Sequence, residues 1–266
     1  MILCVIIDLN VFEEREKFWK VKCWLISIYR RKFMSKKQLT VEEKRLDLDL
    51  TIIGIVTFLV FGLFALYAKQ INSFISNENI NVVSRLLLNA SIQFGVAGLG
   101  IVIVMFFRKE SFSSYGLKMD NIVKSILGTI VSFLPVIIYI FASGSFKGYH
   151  PLHISITKDV IVSGFPINIL GMCLILIVWG FFEGFNYAVI ADKINKRYPT
   201  KSTWLNYGAI TCAFICLLFH PIKTDFWGII ELITTFIAIY GMLIVKTKTN
   251  NAWGCVFAFI FIWNAL

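Results

Sequence analysis

A helix needs about 20 predominantly apolar residues to cross the hydrocarbon core of a bilayer, and seven stretches of this chain approach or reach that length. They are Leu50–Ala68, Val82–Phe107, Ile122–Ser143, Pro166–Ile190, Ala209–Ile222, Phe226–Val245 and Ala252–Leu266. Only 16% of the residues are charged, against roughly 25% in soluble domains, so the chain lacks the charge to cover a water-facing surface. The first 50 residues hold 19 of the 42 charges, 11 basic and 8 acidic. These patterns exclude a soluble enzyme, a disordered chain and a disulfide scaffold. The expected fold is all-α: a polytopic integral membrane protein of about seven transmembrane helices, with the membrane domain over residues 50–266 and a charged arm over residues 1–49.

Within the arm, Met34-Ser35-Lys36-Lys37 reads as a second start, which would make residues 1–33 a dispensable extension. The opening apolar run lacks the basic flank and the length of a signal peptide. Glu42 to Asp49 reads as an amphipathic lead-in to the first span, and Asp192 to Arg197 as the wet end of a helix. The net charge of +10 does not point to nucleic acid, because the basic residues sit between apolar runs and not on one face. It points to the excess of Lys and Arg in cytoplasmic loops. An arm in the cytoplasm places Arg108, Lys109, Lys118, Lys124, Lys193, Lys196, Arg197, Lys201, Lys246 and Lys248 on that side. The opposite side then has Lys69, Arg85, Lys147, Lys158 and Lys223. That bias predicts a cell-membrane protein with a cytoplasmic N-terminus and an external C-terminus. The six cysteines (Cys4, Cys23, Cys173, Cys212, Cys216 and Cys255) are scattered, without metal-ligand spacing, and read as small hydrophobes.

Two acids, Glu183 and Glu231, and one imidazole, His220, stand out inside the apolar runs. Such residues are costly in lipid and usually face a partner or a cavity. Glu183 lies 14 residues before Arg197, and His220 16 residues after Trp204. At 1.5 Å per residue these are rises of roughly 21 and 24 Å from a shared loop, which puts both at one depth of an antiparallel pair. The same arithmetic brings Glu231 and Asn264 to that layer. Asn186 and Tyr187 share the helix face of Glu183 and are supporting candidates. A carboxylate, an imidazole and an amide in a dry layer suit water activation: Glu183 as base, His220 and Asn264 steadying the developing charge. They equally suit a hydrogen-bonded cluster that glues helices together. His150 and His153 form a weaker, loop-borne pair of metal candidates. No nucleotide-binding glycine pattern is present.

In order and spacing these residues resemble the CPBP family of intramembrane proteases, which includes CAAX-prenyl endopeptidases and bacteriocin-processing or self-immunity proteins. The resemblance spans about residues 110–266. It begins at Ser114-Tyr115-Gly116-Leu117-Lys118, similar to the family's glycine–leucine–basic stretch. Phe182-Glu183-Gly184-Phe185-Asn186-Tyr187-Ala188 stands where the family has Glu-Glu-x-x-x-Arg, and Cys216 to His220 where it has Phe-x-x-x-His. Thr249 to Gly254 and Trp263-Asn264-Ala265 stand where a Thr-Gly-x-x-Trp turn leads to His-x-x-x-Asn. The chain departs from the pattern at Gly184, Ala188, Cys216 and Ile260 (or Phe259, with a one-residue slip).

The resemblance implies an intramembrane peptidase cleaving membrane-associated peptides or proteins, with Glu183, His220 and Asn264 as its catalytic set. Two other readings stand beside it: a catalytically inactive relative in peptide binding or bacteriocin immunity, and a small membrane transporter. A catalytic zinc usually has three protein ligands; Glu183 and His220, the weak metal candidates, supply two, a poor set for a divalent metal, and no other cofactor is indicated. The expected partners are the bilayer and a membrane peptide, and no nucleic acid.

Overall fold

The computed structural model describes residues 39–202, 204–219 and 223–266. The expectations for the arm up to Gln38, including the start at Met34, and for His220 fall outside the described residues. Every regular element among the described residues is helical. In chain order these are α1 (Val41–Leu66), α2 (Ala68–Ser76), α3 (Val82–Arg108), α4 (Ile122–Ala142), α5 (Thr157–Val162), α6 (Ile167–Arg197), α7 (Tyr207–Leu218), α8 (Phe226–Thr249) and α9 (Trp253–Trp263).

Five of the seven expected spans, α1, α3, α4, α6 and α8, have the length and apolarity to cross a membrane; α7 and α9 are shorter. The packing accounts for the short α9. Helix α9 is walled in by α4, α6 and α8, and most of its residues are buried, so protein surrounds it on nearly every side. Helix α7 presents a face of small residues, Gly208, Ala209, Cys212, Ala213 and Cys216, to α6 and α8. Small residues let helix backbones approach closely where no hydrophobic force drives association. Gly208 shows the limit: a Cβ there would lie 2.2 Å from the Ala191 carbonyl oxygen.

The lead-in to the first span is not a separate segment. Thr40 caps α1 through a reciprocal pair of hydrogen bonds with Glu43, and the helix then runs unbroken into the apolar stretch. Its first turns carry acids into the protein. Asp49 is buried and accepts from Arg108 (2.7 Å) and Lys193 (2.9 Å). Asp47 pairs with Arg197. Lys193 also reaches Glu110 at 3.0 Å, and Lys246 reaches Asp192 at 2.6 Å.

The reading of Asp192 to Arg197 as a wet helix end is therefore corrected. Lys193 is 1% exposed and sits between two carboxylates, because α1, the end of α3 and the end of α6 all meet there. At the other end of α3, buried Arg85 bonds Asp159 and the carbonyls of Ile75 and Ile80.

Glu110 leads to a pH prediction. Burial raises its pKa, but the Tyr115 hydroxyl, Lys193 and Arg45 outweigh that and hold it below the ordinary 4.5. A carboxyl lowered in the folded state contributes stability that is complete above its unfolded value and is lost as pH falls through the folded one. Thermal unfolding in detergent should therefore show the wild-type melting temperature falling below about pH 4.5. Glu110→Gln should be less stable at neutral pH and show a smaller acid loss.

Candidate functional site

Three of the helices are not α-helical throughout. Gly95–Leu99 in α3, Leu176–Phe182 in α6 and Phe259–Trp263 in α9 are π-helical. A π segment widens the turn and redirects the side chains beside it, and such segments gather at functional sites. Here each one adjoins a buried polar side chain. Gln93 stands two residues before the first, Glu183 directly after the second, and Asn264 directly after the third. The segment in α6 packs against both of the others, so three widened turns meet at one place.

Their side chains meet as well. The Gln93 Nε2 donates to Glu183 Oε2 at 3.1 Å, joining residues 90 positions apart. Asn264 faces the same carboxyl. Its Nδ2 donates to the carbonyls of Trp179 (3.2 Å) and Phe259 (3.0 Å), both within π segments. Glu183, Gln93 and Asn264 are 2%, 1% and 5% exposed, so the cluster is dry. One turn before Gln93, Asn89 is equally buried. Asn89 Oδ1 and Gln93 Oε1 are the two amide oxygens in this region with no hydrogen-bond partner.

Of the sequence candidates, Glu183 and Asn264 are thus brought together, and His220 lies outside the described residues. Tyr187, buried one turn beyond Glu183, stacks on Phe259 with ring centroids 5.5 Å apart, so it borders the cluster. Asn186 is half-buried beside it. Glu231 has a different set of neighbours: its carboxylate accepts from Tyr139 (3.2 Å) and lies 3.8 Å from Lys223. The His150 and His153 rings are exposed, 5.6 Å apart. Their backbone N–H groups donate to the carbonyls of Ala265 and Asn264, both at 2.8 Å. That loop therefore fastens the turn that carries Asn264. Among the described residues no group of three or more His, Cys, Asp or Glu is placed to hold a metal ion.

Gly184 and Gly180 lie at tight contacts. A Cβ on Gly184 would lie 2.5 Å from the Cys255 carbonyl oxygen, and one on Gly180 would lie 2.5 Å from Ile260. Helices α6 and α9 touch backbone to backbone at Gly184. Two other quoted stretches also meet: Ala252 N–H donates to Gly116 O at 2.8 Å, and the Asn251 amide binds the carbonyls of Lys118 and Asp120. Gly116 has φ +97° with the Ala252 nitrogen 3.0 Å from its would-be Cβ, a position that favours glycine. Neither a protein-family model, nor a curated protein, nor a solved structure matches the chain.

Gln93 and Asn89 escaped a sequence reading that searched the apolar runs for titratable groups. The usable signal was two amides four residues apart in the stretch Val82–Phe107. In lipid, amides need partners as much as charges do.

The contact at Gly184 sets a prediction. Gly184→Ala must force α6 and α9 apart, and overpacking of this kind costs about 1–3 kcal/mol. The melting temperature of the purified protein should fall accordingly, and Gly184→Glu should fail to accumulate in the membrane. An unchanged melting temperature for Gly184→Ala would contradict the packing.

Proposed function

We propose that this protein is an intramembrane peptidase resembling the CPBP family, with Glu183 as the general base of a water-activating centre. One observation carries the reading: a buried carboxylate from α6 is held by amides from two other helices, each delivered by its own π segment. A helix-gluing contact does not need three backbone distortions at one point, whereas a site that must fix a carboxylate does. Gln93 orients the carboxylate through Oε2. Glu183 would take a proton from water that attacks a peptide carbonyl, and would hand that proton to the leaving amine as the C–N bond breaks. His220 and Asn264 would steady the resulting oxyanion, Asn264 by releasing one of its two carbonyl partners.

A second reading, a non-hydrolytic relative that binds a membrane peptide, draws on Gly184. The backbone contact there leaves no room for a second acid, so this centre works with one carboxylate or does not hydrolyse.

Glu183→Gln separates the two. The amide keeps the shape and can still bond Gln93, but it has no basicity. General-base terms are worth about 10²–10⁴-fold, so cleavage of a hydrophobic peptide in proteoliposomes should fall by that factor while the melting temperature stays near wild type. Undiminished cleavage would remove Glu183 from the chemistry. Absence of cleavage by wild type, with peptide binding intact, would favour the second reading.

We also propose that the charged end of the bundle, where α1 begins and α6 and α8 end, is cytoplasmic. The bias of ten basic residues to five supports it, since basic residues orient membrane proteins largely regardless of nearby acids. Lys196 and Lys147 are both exposed. In intact cells Lys147→Cys should react with an impermeant thiol reagent and Lys196→Cys should not. The reverse pattern would invert the topology.

A further inference from the structure

The cluster around Glu183 has more hydrogen-bond acceptors than donors. Glu183 contributes two carboxyl oxygens, and the oxygens of Gln93 and Asn89 have no partner. On the donor side, Gln93 Nε2 serves Glu183, and the Asn264 amide already serves two carbonyls. Turning the Gln93 amide over does not help an ionised Glu183, because it would set Oε1 against the carboxylate. No Lys or Arg among the described residues is paired with Glu183. Each buried polar atom left without a partner is costly, and a buried charge without compensation more so. While Glu183 is ionised, as a general base must be, a species that completes this site would bring positive charge and accept oxygen ligands.

The donor chemistry narrows that species. Carboxylate and amide carbonyl oxygens are hard ligands, which suit main-group cations and not zinc or copper. A single carboxylate balances a single positive charge, whereas calcium sites usually gather several carboxylates. Asn89 and Gln93 stand one turn apart on one face of α3, and both of their side-chain oxygens are buried without a partner. Broken helices inside membranes hold sodium in this way, through backbone and side-chain oxygens freed by the irregular turn. Three irregular turns surround this site.

We propose that Asn89, Gln93 and Glu183 form a binding site for a small monovalent cation of the sodium type. The inference shares with the hydrolytic reading only an ionised Glu183; it needs no substrate and its test contains none. The full chain is purified in detergent and its melting temperature followed against NaCl, with choline chloride holding ionic strength constant. Parallel titrations use KCl and CaCl2.

The wild type should show a saturable rise with NaCl or KCl that choline does not give, and which of the two acts identifies the ion. Gln93→Leu and Asn89→Leu should weaken the apparent affinity by about tenfold or more. Either leucine variant could fail to fold, so Asn89→Asp, which preserves shape and volume, supplies the second arm. Its added carboxylate should move the preference towards calcium. A wild-type response identical in sodium, potassium and choline would overturn the proposal, with ordered water then filling the site. So would an Asn89→Asp protein whose cation preference equals that of the wild type.

Discussion

Lys193 stands almost without solvent between Asp49 and Glu110, and much of the bundle depends on that arrangement. Removing one member of a buried pair strands the other charge, at about 3–5 kcal/mol. Asp49 belongs to the first helix, Glu110 follows α3, and Lys193 ends α6. The ion cluster therefore brings together three helices whose sequence positions lie far apart. Arg108, Arg197, Asp47 and the Lys246–Asp192 pair widen it into a layer across one end of the bundle. Apolar contact alone would not fix these helices in register, because lipid is as apolar as leucine. Directional charge pairs provide the alignment.

The same requirement, that polar groups in an apolar medium find partners inside the protein, shapes the interior. There the partners are amides. Three helices give up regular α geometry within a few residues of Gln93, Glu183 and Asn264, and two of the carbonyls in those π segments bind the Asn264 amide. The distortion and the cluster thus support each other: the wide turns aim the side chains, and a side chain satisfies carbonyls of the wide turns. Gly184 and Gly180 allow α9 to lie close enough for Asn264 to reach the carboxyl at all.

Much of this was legible in the sequence, at different depths. The apolar runs gave the helical membrane class because hydrophobic length is a one-dimensional property. Glu183 stood out because a carboxylate inside such a run has few structural explanations; the spacing arithmetic put Asn264 in its layer together with Glu231, which instead meets Tyr139 and Lys223. The fifth and seventh apolar runs were already short in the sequence, and as α7 and α9 they fall below the length of a full span; composition cannot tell that α9 is walled in by protein. Lys193 was misread because charge near a helix end looks solvated until the acids of a helix 144 residues away are placed beside it. The π segments left no trace in composition, and Gln93 was hidden by its lack of charge.

The account's central claim is that Gln93 and Glu183 act as one unit across two helices. A double-mutant cycle with Gln93→Leu, Glu183→Leu and the double variant, each of which removes the Gln93–Glu183 hydrogen bond, read by unfolding free energy in detergent, tests it most directly. Residues in direct contact couple by about 0.5–3 kcal/mol, while independent sites add to within about 0.5 kcal/mol. The account predicts a coupling within the first range. Strict additivity of the two substitutions would mean that the carboxylate and the amide do not meet, and the site as described would not exist.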